Sequence, residues 1–202
     1  MKRIILASAS PRRKELLEKL GLKFEVDASN CEEEIDSMLK PDELVRRISI
    51  TKAKSVARRH QDAVIIAADT IGVIGKKLLG KPHTADEAGK MLAQISGKSH
   101  EVITGFTILD TATNKIMTGT VSTKVYIKKL TRQEIAAYVQ TGEPLDKAGA
   151  YGIQGRGAVI VEKIEGDYYN VMGLPLSALT EALKEFGISV WGVTSLNNRI
   201  EL

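Results

Sequence analysis

The sequence predicts a mixed α/β fold, on three observations. Short β-branched runs alternate with helical stretches towards the ends of the chain, and two long Thr/Val/Ile-rich runs stand together in the middle. Glycine, proline or a capping residue marks most junctions. With 202 residues, 43% hydrophobic and 27% charged, the composition excludes disordered, collagen-like and coiled-coil classes. A chain of this length buries about 70% of its extended surface and folds without staples. The expectation is one domain over residues 1–190, with two lobes around a shared cleft, and a tail over 191–202.

The elements follow in order. Residues 3–7, Arg-Ile-Ile-Leu-Ala, read as a buried strand. Ser10 is placed to cap a helix with Pro11 at its first position and Gly21 past its end. Residues 24–28 alternate like a second strand, and 42–59 carry a helical stripe of Leu44, Val45, Ile48, Ala53 and Val56. Residues 63–68 form a wholly apolar strand expected to end at Asp69 and Thr70, followed by a Gly-rich hairpin over 72–81. Thr84-x-x-Glu87 and Thr131-x-x-Glu134 are capping boxes, each opening a helix. Between those helices, residues 100–109 and 115–127 read as antiparallel strands. Residues 151–164 give a further strand signal, and 176–186 a last helix stopped by Gly187.

Composition also bounds the setting. The longest apolar run, residues 63–68, falls far short of the ~20 residues a membrane span needs. The apolar stretch after Met-Lys-Arg is too short for a signal sequence, and Cys31 stands alone, so no internal disulfide forms. A soluble, cytoplasmic chain without membrane association is expected. The net charge of +4 leans towards anionic partners. Aromatics are 4% and scattered, so no stacking surface for nucleic-acid strands is visible.

Five places can carry chemistry. Ser8, Ser10, Arg12 and Arg13 surround a helix N-terminus, where free N–H groups, hydroxyls and two guanidinium groups make either a phosphate cradle or a solvated basic turn. Asp69, at a strand end, can orient water, act as general base or hold Mg²⁺; the plainer reading is a turn aspartate. Glu32, Glu33 and Glu34 form either a solvated face or hard ligands for a cation shared with Asp69. Lys52 and Lys81 reach phosphate as point charges or lie on the surface. The glycines of 149–157, around Gln154, allow close backbone approach to a ligand or form a strand bulge.

Other chemistries are set aside. Residues 75–81 match the first seven positions of a Walker A loop, but Pro82 replaces the hydroxyl residue and removes a backbone donor. His60, His83 and His100 lack zinc spacing, and no G-x-S-x-G elbow occurs, which disfavours acyl transfer. His60, after Arg58 and Arg59, reads as a favourable cation at a helix C-terminus.

Taken together, Leu-Ala-Ser-Ala-Ser-Pro-Arg-Arg at 6–13, Ala-Ala-Asp-Thr at 67–70, Gly-Lys-Pro at 80–82 and Ser96-Gly97 with His100 form an ordered set. With the block at 143–155 and Gly-Leu-Pro at 173–175, that set resembles the Maf family of nucleoside triphosphate pyrophosphatases. The resemblance implies a fold like that of the inosine-triphosphate pyrophosphatases, with two lobes flanking a cleft, and commonly a homodimer. It also implies Mg²⁺- or Mn²⁺-dependent hydrolysis of a nucleoside triphosphate to monophosphate and pyrophosphate. By position, Asp69 matches the catalytic acid/base, Arg12, Thr70 and Gln154 the residues tied to substrate choice, and Ser8, Arg13, Lys52 and Lys81 the phosphate side. Glu33, or its neighbour Glu32, matches the carboxylate near the metal.

The Gly-Ile-Gln-Gly form at 152–155 looks like the branch acting on dTTP and UTP. A glutamine amide offers one donor and one acceptor, the complement of uracil O4 and N3–H. The branch that prefers 7-methyl-GTP is the second reading. A nonenzymatic regulator of septum formation is the competing class; no array of basic residues along one helix face favours it.

Overall fold

A computed structural model describes residues 2–31, 36 and 38–191; Glu32, Glu33 and most of the expected tail lie outside the described residues. The chain order is β1 (Arg3–Leu6), α1 (Pro11–Glu18), β2 (Glu25–Val26), α2 (Pro41–Ala57), β3 (Ala63–Ile74) and β4 (Lys77–Leu79). Then come α3 (Ala85–Ile95), β5 (Ser99–Asp110), β6 (Ile116–Ile127), α4 (Arg132–Gln140), β7 (Val161–Glu165), α5 (Tyr168–Met172) and α6 (Leu176–Lys184). No helix among the described residues is long and apolar enough to cross a membrane.

The strands form one sheet in the order β2-β1-β3-β5-β6-β7, with β4 paired to β3. β1 runs parallel to both β2 and β3, so the helices α1 and α2 serve as crossovers. From β3 onwards all pairings are antiparallel. The expected mixed α/β fold is present.

The junctions form where the local chemistry directs them. Ser10 Oγ accepts from the Arg13 N–H at 3.5 Å, with Pro11 at the first turn of α1. At α4 the Thr131–Glu134 box closes reciprocally, with Glu134 N–H donating to Thr131 Oγ1 and Thr131 N–H to Glu134 Oε2. The Thr84 box closes only halfway, because Glu87 accepts from the His83 N–H instead of from that of Thr84. His60 lies just past the end of α2, and its Nε2 is 2.7 Å from Asp27 Oδ2.

Two other expectations are corrected. β3 does not stop at Asp69: it continues to Ile74, with Asp69 opposite Gly105 and Thr70 opposite Thr104. Residues 151–164 are not one strand, since a 3₁₀ turn spans Gly155–Ile160 and pairing begins only at Val161.

The sheet has one face covered twice. Towards one end, Leu16 and Leu17 of α1 and Leu176, Leu179 and Leu183 of α6 pack on Val64, Ile66, Phe106 and Ile108. Towards the other, Ala88, Leu92 and Ile95 of α3 pack with Val102, Val125, Tyr138 and Tyr151. Even-numbered residues of β5 share this face, so Thr104 falls between the clusters of Val102 and Phe106. Those clusters are the two lobes; the cleft between them is lined also by Lys52 and Asp69 from the other side of the sheet.

The opposite face is covered by α2. A Cβ at Gly105 would lie 2.6 Å from the backbone carbonyl of Val45, so only glycine permits the helix this close. Further along α2, Ser49 shares a 2.7 Å hydrogen bond with Thr107. Lys52 then reaches Asp69, and Val56 completes the apolar layer with Ile5 and Ile65.

Candidate active site

The cleft has a volume of about 450 Å³, within the roughly 300–1,000 Å³ range of small-molecule sites. Arg12, Arg13, Lys52, Asp69, Thr70, Lys81 and Gln154 all line it, brought together from five separate stretches of chain. Its lining carries five cations, including Lys147, against the three carboxylates of Glu15, Asp69 and Glu143. Such an excess favours a polyanion.

Asp69 is 6% exposed and its Oδ1 accepts from Lys52 Nζ at 2.6 Å. The pair is buried on both sides, with side-chain exposures of 10% and 9%. Its second oxygen, Oδ2, has no hydrogen bond among the described residues. One carboxylate oxygen is therefore fixed and the other is left for a ligand.

Arg13 is held by the protein itself. Its guanidinium donates to Gly173 O at 2.8 Å, Thr70 Oγ1 at 3.1 Å and Ser8 Oγ at 3.4 Å. Ser8 is 8% exposed and sits behind Arg13, not among the lining residues; it also accepts from the Ser10 N–H. The expected phosphate cradle is thus partly a brace that ties α1 to the end of α5.

That brace fixes a hydroxyl. Thr104 donates to the Asn170 carbonyl at 3.1 Å, so its shared 2.8 Å bond with Thr70 uses the Thr70 proton. An arginine can only donate, so Thr70 accepts from Arg13. Towards the cleft Thr70 therefore presents a lone pair and no proton.

The site also holds groups to which the sequence assigned no role. Lys147, with 16% side-chain exposure, donates to Asp146 at 2.6 Å and to Glu143 O at 3.2 Å. His100, 3% exposed, shares a 2.9 Å hydrogen bond with Tyr151, and its Nδ1 is buried without a partner among the described residues. Burial pushes the His100 pKa down to about 4.

The unfolded chain binds a proton at His100 below the ordinary value of 6.5, whereas the folded chain resists it until about 4. Stability is therefore lost as pH falls from 6.5 towards 4, by up to about 3 kcal/mol from this group. Urea midpoints across this window should fall less steeply for His100→Gln than for the unaltered chain. Parallel curves would refute the assignment.

The Maf-like protein family model matches residues 3–186. The chain belongs to the Maf family. A dTTP/UTP pyrophosphatase of Methanococcoides burtonii is 53% identical over 192 residues, covering 95% of this chain and 98% of that one. One of the same description from Halalkalibacterium halodurans is 51% identical over 189 residues, covering 94% and 98%. A solved nucleoside-triphosphatase / dITP/XTP pyrophosphatase from Mycobacterium abscessus aligns at a TM-score of 0.48 and 14% identity, covering 91% and 97%.

For the cation implied by the Maf resemblance, the described donor set fits in kind. The Asp69 carboxylate and the Thr70 hydroxyl are hard oxygen donors at a polyanion site, and Mg²⁺ needs few protein ligands when phosphates complete its shell. Among the described residues no cluster of three or more His, Cys, Asp or Glu is present. Glu32 and Glu33, the other expected ligands, lie outside the described residues.

Proposed function

We propose that this chain hydrolyses dTTP and UTP to the nucleoside monophosphate and pyrophosphate. The observation that carries the reading is the Lys52–Asp69 pair, set in a cationic cleft with one carboxylate oxygen unengaged. The Maf family membership and the relatives described as dTTP/UTP pyrophosphatases support the substrate class.

In this mechanism Arg12, Lys81 and Lys147 draw the triphosphate into the cleft, and Lys52 holds Asp69 at a fixed angle. Asp69 Oδ2 takes a proton from a water molecule as that water attacks the α-phosphorus. A P–O bond forms to the water oxygen, the α–β bridging bond breaks, and pyrophosphate leaves with the bond's electron pair. Positioning and electrostatic stabilisation supply most of the acceleration, because the transferring group carries its own charge. A divalent cation, Mg²⁺ or Mn²⁺, would be held by Asp69 with the substrate's oxygens and supplies charge neutralisation when bound.

Gln154 reads the base. Its side chain has no partner among the described residues, and its amide matches uracil or thymine O4 and N3–H. Rates on dTTP, UTP, CTP, ATP, GTP and 7-methyl-GTP test the assignment, with dTTP and UTP expected to lead. Gln154→Glu should reduce their lead at least about tenfold, since a carboxylate cannot donate to O4. An unchanged profile would place base reading elsewhere, and a lead for 7-methyl-GTP would overturn the substrate class.

A further inference from the structure

Glu143, like Glu15, is a cleft carboxylate that takes no part in the mechanism above, and the bonds of Glu143 explain why. Its Oε1 accepts from the Tyr138 hydroxyl and from the Gly157 N–H, both at 2.9 Å. Its Oε2 accepts from the Arg156 N–H at 3.0 Å. Tyr138 in turn accepts from the Gly152 N–H at 3.2 Å.

The pair thus grips residues 152–157 from both ends, with Gln154 two residues from each grip. The loop curls tightly around the carboxylate. Gly155 sits at φ +75°, and a Cβ there would come within 2.9 Å of Glu143 Oε2. A Cβ on Gly157 would strike both Gly152 O and the Tyr138 hydroxyl. Partial burial opposes the Glu143 charge, but the N–H groups of Gly157 and Arg156 outweigh it and hold its carboxyl below the usual range. It therefore stays a charged acceptor at neutral pH.

A fixed loop matters because of an ambiguity in glutamine. An amide that can turn over serves cytosine N4–H and N3 as well as uracil O4 and N3–H. Choosing uracil over cytosine requires the amide to approach the base from a set position. We infer that Glu143 and Tyr138 are positioning residues that set pyrimidine selectivity by clamping the 152–157 loop on which Gln154 is carried. This rests on Gln154 reading the base.

The test compares Glu143→Gln, Tyr138→Phe and Gln154→Ala on UTP, CTP and ribose 5′-triphosphate, with kcat and KM resolved for each. Tyr138→Phe removes only one oxygen and covers the case in which Glu143→Gln fails to fold. The clamp predicts that the UTP-over-CTP ratio of kcat/KM falls at least about tenfold in both clamp variants, one hydrogen bond's worth of discrimination. It also predicts a larger loss on UTP than on ribose 5′-triphosphate, which has no base. Equal losses on all three substrates would overturn the clamp and put Glu143 on the phosphate side. Selectivity lost in Gln154→Ala but kept in both clamp variants would overturn the clamp alone. Selectivity kept in all three would overturn base reading by Gln154 and the clamp with it.

Discussion

Asp69→Asn is expected to fold and to hydrolyse dTTP at least about 10²-fold more slowly. The fold survives because the amide oxygen can still accept from Lys52, whose Nζ lies 2.6 Å from Oδ1. What disappears is the proton acceptor. The amide cannot take a proton from water, and Oδ2, the oxygen left for a ligand, is replaced by a donor. Single-turnover rates with dTTP, alongside thermal unfolding of the same preparation, separate the two effects. A rate near that of the unaltered chain would remove Asp69 from the mechanism.

Gly105→Ala has the largest expected effect on stability. Asp69 and Gly105 face each other across β3 and β5, and α2 lies over Gly105 with no room for a methyl group. The atoms in the way belong to the backbone of Val45 and Arg46, at 2.6 Å and 2.8 Å, so no side chain can rotate aside. Either the strand or the helix must move, at a cost of at least about 3 kcal/mol, the upper part of the overpacking range. For a chain of this size that is a fall in Tm of roughly 6–12 °C. Activity should fall further than stability, because the displaced helix carries Lys52 away from Asp69. An unchanged Tm would mean that α2 does not approach the sheet as described.

Much of this was legible beforehand, where the signal is local. Ser10-Pro11 and the Thr131–Glu134 box act within one turn of helix, so sequence spacing alone locates α1 and α4. The strands β5 and β6 are twelve residues each and strongly β-branched, which made their pairing readable. Misreadings arose where a distant partner decides the conformation. Asp69 and Thr70 read as the end of a strand, yet β5 runs alongside and keeps pairing through Val73. Residues 151–164 read as a strand, but the amides of Arg156 and Gly157 turn to the Glu143 carboxylate instead.

The site divides in the same way. Resemblance named Arg12, Lys52, Asp69, Thr70, Lys81 and Gln154, and all six line one cleft. It assigned nothing to Lys147 or Glu143, though both fall in a quoted block, because their bonds to Asp146, Tyr138 and the loop amides leave no trace in spacing. Ser8 and Arg13 were grouped with the phosphate side. The bonds of Arg13 to Gly173, Thr70 and Ser8 show a structural share in holding the cleft wall.

The central claim is water attack at the α-phosphorus with pyrophosphate as leaving group. Hydrolysis of dTTP in ¹⁸O-labelled water, with Mg²⁺ or Mn²⁺ supplied and products resolved by mass, tests it most directly. The account predicts one ¹⁸O atom in the nucleoside monophosphate and none in the pyrophosphate. Label in the pyrophosphate, or release of orthophosphate with nucleoside diphosphate, would contradict it.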